Sequence, residues 1–163
     1  MAKNKEPVIC IAGDGSIQMN IQELQTIVTN KLPIKIVVIN NEGYQQIRIT
    51  QANLFQCEYV GLGPESGDLG FPNFHKLADA FDIPYISIKN NQELASQISN
   101  VLQHDGYVMC EVFVTTTQKF EPKSATKKLD DGTLISPPLE DMAPFLSREE
   151  LAENMYIPML PEE

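Results

Sequence analysis

Val8-Ile-Cys-Ile-Ala-Gly-Asp-Gly-Ser16 is the stretch that decides the fold. Its first five residues are apolar and β-prone, which predicts a short buried strand. Apolar residues then recur at helical spacing, at Ile17, Ile21, Leu24 and Val28. The glycine turn is therefore expected to join a strand to a helix. Because the first N–H groups of such a helix have no partner within it, the turn favours an anion.

An acidic side chain in the same turn changes that expectation. Asp14 would repel a bare phosphate, but the conflict disappears if Asp14 holds a divalent cation that meets the phosphate. A second apolar run, Ile34 to Ile39, ends at Asn40-Asn41. Neighbouring parallel strands bring their carboxyl ends to one crevice, so a carboxylate and an amide oxygen would meet there. Both are hard ligands, which favours Mg²⁺.

Two common phosphate-binding motifs do not fit the turn. A P-loop requires Lys-Ser or Lys-Thr after its glycines, and no Lys or Arg lies between Gly13 and Asn30. The dinucleotide fingerprint requires a third glycine where this chain has Gln18. A purely structural glycine turn followed by an ordinary Asn-Asn loop remains the alternative.

The motif and its surroundings resemble a known family. Gly-Asp-Gly-Ser, a gap of 24 residues from 16 to 39, and Asn40-Asn41 are similar to the thiamine diphosphate motif. The stretches Gly13 to Leu24 and Lys31 to Asn41 resemble the cofactor-diphosphate domain of the acetolactate synthase group. The resemblance covers residues 7–115.

The resemblance implies two cofactors, thiamine diphosphate and Mg²⁺, and a set of site residues. Its metal ligands would be the side chains of Asp14 and Asn41 and the backbone carbonyl of Gly43. The other residues that it implies at the cofactor are Gly13, Gly15, Ser16 and Tyr44.

Alternating apolar runs predict the fold class. The strand and helix patterns continue after Asn41 with a short helix from Tyr44 to Ala52 and an irregular loop from Leu54 to Phe71. The later elements are a helix over 74–81, a strand over 85–88, a helix over 91–102 and a strand over 107–114. Such alternation predicts an α/β three-layer sandwich, with a mainly parallel sheet and helices on both faces.

Two domains are expected. Residues 1–118 would form the diphosphate and magnesium domain, and residues 119–163 a C-terminal tail. Pro137-Pro138 excludes regular structure at its position in the tail. Ser147, with Glu150 three residues later, predicts the start of a short helix.

Composition narrows the class of protein. The chain has 163 residues, enough for a sizeable core, and a net charge of −10, which argues against nucleic acid or an anionic membrane as partner. It has no apolar run of membrane-spanning length and no signal-peptide pattern at its first residues. Cys10, Cys57 and Cys110 lack the spacing of a zinc or redox site, so we expect buried, reduced thiols in a cytoplasmic protein.

The remaining polar residues are expected to have ordinary roles. His75 and His104 are predicted in solvated or capping positions, and Glu23 and Glu42 at the surface. Arg48 is predicted in a surface ion pair, with a substrate carboxylate as its alternative partner. The catalytic residues stay unassigned, and Glu23 and Glu42 would be the first candidates if this chain alone were active.

The resemblance also implies an activity. It predicts an enzyme that acts on a 2-keto acid. Such an enzyme is a lyase if it decarboxylates the acid, and a transferase if it joins the acid to a second carbonyl compound. In the family, the glutamate that protonates the cofactor comes from a pyrimidine-binding domain, usually of a neighbouring subunit. We therefore expect a portion of a longer polypeptide, a homo-oligomer, and no turnover by this chain alone. The alternatives are a small subunit of a split 2-keto acid decarboxylase and a non-catalytic assembly module.

Overall fold

The computed structural model describes residues 6–56 and 58–159. Two compact units make up the chain, Met1–Thr117 and Gln118–Glu163. Three parts of the chain lie outside the described residues: Cys57, residues 1–5 of the first predicted domain, and residues 160–163 of the second.

A four-stranded sheet forms the first unit. Its strands are β1 (Val8–Gly13), β2 (Ile34–Asn40), β3 (Tyr85–Ile88) and β4 (Val108–Phe113), in the spatial order β1-β2-β4-β3. Every neighbouring pair in this sheet is parallel, which confirms the predicted parallel sheet.

Helices cover both faces of the sheet, as predicted. The helices of this unit are α1 (Asp14–Ile17), α2 (Glu23–Thr29), α3 (Gln45–Leu54), α4 (Phe74–Ala80) and α5 (Asn91–Gln103). Because side chains alternate along a strand, Ile36 of β2 packs with Leu24 of α2 and Phe74 of α4 on one face. Its neighbour Val37 packs with Val101 of α5 on the other face. The sheet is thus the middle layer of an α/β sandwich.

The helix predicted after the glycine turn is not continuous. A 3₁₀ turn, Gln18–Asn20, separates the single turn of α1 from α2. Of the residues in this 3₁₀ turn, Asn20 is a poor helix former. The backbone nevertheless stays in the right-handed region at Ile17, so the apolar spacing still brings this residue and Leu24 into the core. The turn therefore offers N–H groups, but not the dipole of a long helix.

Cys10 is exposed, contrary to the prediction, whereas Cys110 is buried as predicted. The difference follows from strand order, because β1 lies at the edge of the sheet and β4 inside it. The neighbours of Cys10 are also open to solvent, with Ile9 53% and Ile11 69% exposed.

The second unit is small and irregular. It contains an antiparallel pair, β5 (Lys127–Lys128) with β6 (Leu134–Ile135), which the sequence pattern does not predict. Its helix α6 (Arg148–Asn154) begins after Ser147, whose hydroxyl accepts from the N–H of Glu150 at 3.2 Å. The predicted helix start is confirmed.

None of the helices in the described part of the chain is long and apolar enough to cross a membrane.

Candidate functional site

Two turns meet at the carboxyl ends of β1 and β2. Gly13 pairs with Ile39 in the parallel register, so the residues that follow each strand lie side by side. Asp14 follows β1, and the Asn-Asn turn (residues 40–44) follows β2. The structure thus brings the two halves of the sequence motif into one crevice, the position where α/β sheets bind ligands.

Asp14 is buried between these two turns. Its side chain is only 1% exposed. One carboxylate oxygen accepts from the N–H of Gly15 at 2.7 Å, and the other accepts from the N–H of Gly43 at 2.9 Å. Burial raises the pKa of Asp14, while the backbone N–H groups of Gly43, Gly15, Asn41 and Glu42 oppose that rise.

The buried Asp14 carboxylate has no ion-pair partner among the Lys, Arg and His side chains that the structure describes. An ionised carboxylate is costly to bury unless a charge or several donors compensate it. The backbone N–H groups supply part of that compensation, and a cation beside the carboxylate would add to it.

The two asparagines of the motif have different surroundings. Asn40 Nδ2 donates to Glu111 Oε1 at 2.5 Å, and Asn40 Oδ1 accepts from the N–H of Glu42 at 3.0 Å. Within residues 6–56 and 58–159, no hydrogen bond involves the side chain of Asn41 or the carbonyl oxygen of Gly43. Asn40 is therefore used by the protein itself, and a ligand role for Asn41 and Gly43 stays a prediction.

This donor set fits the Mg²⁺ that the sequence predicts. A carboxylate, an amide oxygen and a backbone carbonyl are all hard oxygen ligands, and magnesium takes only a few of these from protein. The described residues contain no cluster of three His, Cys, Asp or Glu side chains that could hold a metal ion by themselves.

The predicted cofactor residues lie on the same edge of the sheet. Gly13 ends β1, and the exposed Ser16 lies in α1. The ring of Tyr44 covers Gly15 so closely that a Cβ at that position would lie 2.3 Å from a ring carbon. Tyr44 also meets Phe71 edge to face, with ring centroids 5.9 Å apart. Contact of these residues with a cofactor stays a prediction.

Arg48 forms the predicted ion pair, with Glu65, but its predicted surface position is wrong, because the arginine itself is buried. Its side chain is 7% exposed, and its Nε donates to Glu65 Oε2 at 2.9 Å. The guanidinium also donates to the carbonyl of Glu42 at 3.1 Å and to that of Asn41 at 3.4 Å. A lone arginine one turn after a motif gives no sequence signal for this arrangement, since Glu65 lies 17 residues away.

The buried Glu111 pairs with the half-buried Tyr85, an arrangement that the sequence pattern did not predict. Glu111 is 4% exposed, and its second oxygen accepts from the hydroxyl of Tyr85. Burial and this carboxylate both raise the pKa of Tyr85, so the phenol stays a proton donor. A glutamate inside the apolar run of β4 was the available signal, because such a residue needs a partner.

The other polar candidates stay outside the crevice or at its surface. Glu23 and Glu42 are exposed, as predicted. His75 stacks on Tyr85 with ring centroids 4.7 Å apart, and His104 ends α5.

Comparison with known proteins identifies the family. The family described as thiamine pyrophosphate enzyme, C-terminal TPP binding domain, matches residues 1–112. The chain is 38% identical over 128 residues to the acetolactate synthase large subunit of Porphyra purpurea, an alignment that covers 78% of this chain and 21% of that protein. It is 38% identical over 103 residues to acetolactate synthase isozyme 3 large subunit of Escherichia coli (strain K12), covering 63% of this chain and 17% of that protein.

The chain thus spans about a fifth of the length of the curated relatives that it matches. Among solved structures, benzoylformate decarboxylase from Polynucleobacter necessarius superposes with a TM-score of 0.60 at 24% identity, over 71% of this chain and 21% of that one. This likeness shows the α/β fold. Because the family match extends over more than half of the chain, the protein belongs to the thiamine pyrophosphate enzymes, through their C-terminal TPP binding domain.

Proposed function

We propose that this chain binds the diphosphate of thiamine diphosphate through Mg²⁺, as the C-terminal portion of an acetolactate synthase-like enzyme that acts on 2-keto acids. One observation carries the proposal. Asp14 is a fully buried carboxylate at the junction of both motif turns, bonded to the N–H groups of Gly15 and Gly43. Such a group favours a cation, and magnesium joins hard protein oxygens to phosphate.

The side chain of Asn41 and the carbonyl of Gly43 complete the proposed protein ligands. Neither receives a hydrogen bond from any described residue, so no internal contact has to break when the metal binds. Gly13, Gly15, Ser16 and Tyr44 would line the path of the diphosphate. When bound, the cofactor supplies the electron sink for carbanion chemistry at the carbonyl carbon of a 2-keto acid.

The proposed reaction is that of a transferase or a lyase, and it requires a pyrimidine-binding domain of the same or another chain. The edge strand β1 supports such a partner, since Ile9 and Ile11 are exposed and its outer hydrogen-bonding groups face away from the sheet. We propose residues 1–118 as the cofactor domain, residues 119–163 as a tail, and a homo-oligomer as the working assembly. A cytoplasmic location stays a prediction.

Two-dimensional ¹⁵N–¹H NMR tests the binding proposal, because it detects binding even when the affinity is weak. Thiamine diphosphate should shift the amide resonances of Gly15 and Gly43 only when Mg²⁺ is present. Asp14→Asn keeps the shape of the side chain but removes its charge, so the shifts should be lost while the remaining spectrum stays folded. Asp105→Asn is the matched control, since this exposed aspartate precedes the amino end of β4, whereas Asp14 follows the carboxyl end of β1.

Unchanged titrations in Asp14→Asn, or no magnesium-dependent shift in the folded wild-type chain, would overturn the proposal. A second measurement concerns turnover. The chain alone should release no carbon dioxide from pyruvate, because the pyrimidine-protonating glutamate is proposed to come from another domain. Turnover by the isolated chain would make the exposed Glu23 and Glu42 the first residues to replace.

A further inference from the structure

A buried arginine holds the Asn-Asn turn from the side opposite to Asp14. Arg48 Nη2 donates to the carbonyl of Glu42, and the next N–H along the chain, that of Gly43, donates to Asp14. The carbonyl and the N–H of one trans peptide point in opposite directions. The peptide between Glu42 and Gly43 is therefore held at both ends, by a positive and a negative side chain.

The turn requires such support because its backbone conformation is unfavourable. Glu42 has a φ of 57°, in the left-handed region that residues other than glycine rarely adopt. Gly43 has a φ of 142°. Residues in these regions persist when the surrounding contacts determine their conformation. Arg48 supplies two of those contacts, to the carbonyls of Asn41 and Glu42.

The Gly-rich loop (residues 58–70) completes the support. Glu65 pairs with Arg48 Nε at 2.9 Å, and the carbonyl of Leu62 accepts from the N–H of Tyr44 at 3.0 Å. The two backbones are in close approach, since a Cβ on Gly63 would lie 2.4 Å from the carbonyl oxygen of Glu42. The loop and the turn are thus joined through side chains and through the main chain.

We propose that Arg48 is a positioning residue for the metal ligands of the Asn-Asn turn, and that its pair with Glu65 couples the order of the Gly-rich loop to binding of Mg²⁺ and thiamine diphosphate. The inference rests on the proposed function. Coupling is reciprocal, so a loop that stabilises the liganded turn must itself be stabilised by the ligand.

Glu65→Gln is the most informative variant. The side chain of Glu65 is 46% exposed, so removal of its charge does not disturb the core. Its affinity for thiamine diphosphate in the presence of Mg²⁺ should fall about 3-fold, as expected for loss of a partly exposed ion pair. Glu58→Gln removes the same charge from an exposed position in the same loop and should leave the affinity unchanged. Arg48→Lys keeps the charge without the forked geometry, and its affinity should fall about tenfold.

Hydrogen exchange supplies a measurement that a merely structural role would not change. The N–H groups of Leu62 and Gly63 donate to Ser66 Oγ within the loop, so their exchange reports loop order. Mg²⁺ with thiamine diphosphate should slow their exchange in the wild type and in Glu58→Gln. In Glu65→Gln at saturating ligand, the exchange should stay close to its ligand-free rate.

The outcomes separate the two proposals. If the wild-type chain shows no magnesium-dependent binding, the proposed function fails. If it binds but Glu65→Gln matches Glu58→Gln in affinity and in ligand-dependent exchange, only the coupling is overturned. Should Arg48→Lys fail to fold, the Glu65 and Glu58 variants still decide the question.

Discussion

The ring of Tyr44 lies directly over the backbone of Gly15 and joins the two turns of the site. A Cβ at Gly15 would lie 2.3, 2.7 and 3.0 Å from three ring carbons, all closer than van der Waals contact. The neighbouring turn thus favours a residue without a Cβ at position 15, in addition to any approach of a diphosphate. Tyr44 is 38% exposed, so its ring has room to move toward solvent.

Gly15→Ala should therefore destabilise the protein through Tyr44. The added methyl group forces the ring aside, and such overpacking costs about 1–3 kcal/mol of unfolding free energy. In a Tyr44→Ala background the same substitution should cost much less. Urea denaturation of the double-mutant cycle measures the difference, with Gly70→Ala as the control, since a Cβ there meets no atom within 4 Å. Additive effects of Gly15→Ala and Tyr44→Ala would contradict the explanation.

Replacement of the two adjacent asparagines should have different effects, one on cofactor binding and the other on stability. Asn41→Ala should weaken magnesium-dependent cofactor binding, although less than loss of the Asp14 charge, and leave the unfolding free energy nearly unchanged. Asn40→Ala removes hydrogen bonds to Glu111 and to the N–H of Glu42, and should lower the unfolding free energy by about 1–3 kcal/mol. Calorimetric titration and chemical denaturation measure the two effects. Equal losses of stability in both variants would show that the asparagines are equivalent.

Tyr85→Phe should destabilise the fold although it removes a single oxygen atom. The hydroxyl donates to the buried Glu111 carboxylate, and leaving a buried charged group short of a donor costs about 1–3 kcal/mol. Tyr107→Phe is the matched control, because no described hydrogen bond involves the hydroxyl of this half-buried tyrosine. It should change the unfolding free energy by less than about 0.5 kcal/mol. Similar losses in the two variants would exclude a special role for the Tyr85 hydroxyl.

Thiol labelling should distinguish the two described cysteines. Burial, with a smaller contribution from the Glu111 carboxylate, raises the pKa of Cys110 to about 11. The thiolate is the reactive form, so at pH 8 only about a thousandth of this group is reactive even before burial limits access. In a Cys57→Ser background, an aromatic disulfide reagent should label the exposed Cys10 rapidly and Cys110 only on unfolding. Fast labelling of native protein that persists after Cys10→Ser would contradict this assignment.

Local patterns in the sequence determined the elements and the site motif. Alternation of apolar residues predicted the strands and helices, because burial on a sheet or a helix face imposes a period of its own. The predicted strand over 85–88 coincides with β3, and the helix predicted from Asn91 begins at that residue. The order of strands and turns was sufficient to bring Asp14 near Asn41, since parallel strands deliver their carboxyl ends to one edge.

Only the tertiary structure decided how the individual side chains are used. Strand order made Cys10 an exposed edge residue and left Cys110 in the interior. The ion-pair partner of Arg48 is Glu65, in a loop 17 residues away, and the role of Asn40 depends on Glu111, 71 residues away. Periodicity and turn chemistry report interactions within a few residues of chain. The partner of a buried charge or amide is the distant residue that the fold places beside it. That partner can therefore be identified only from the tertiary structure.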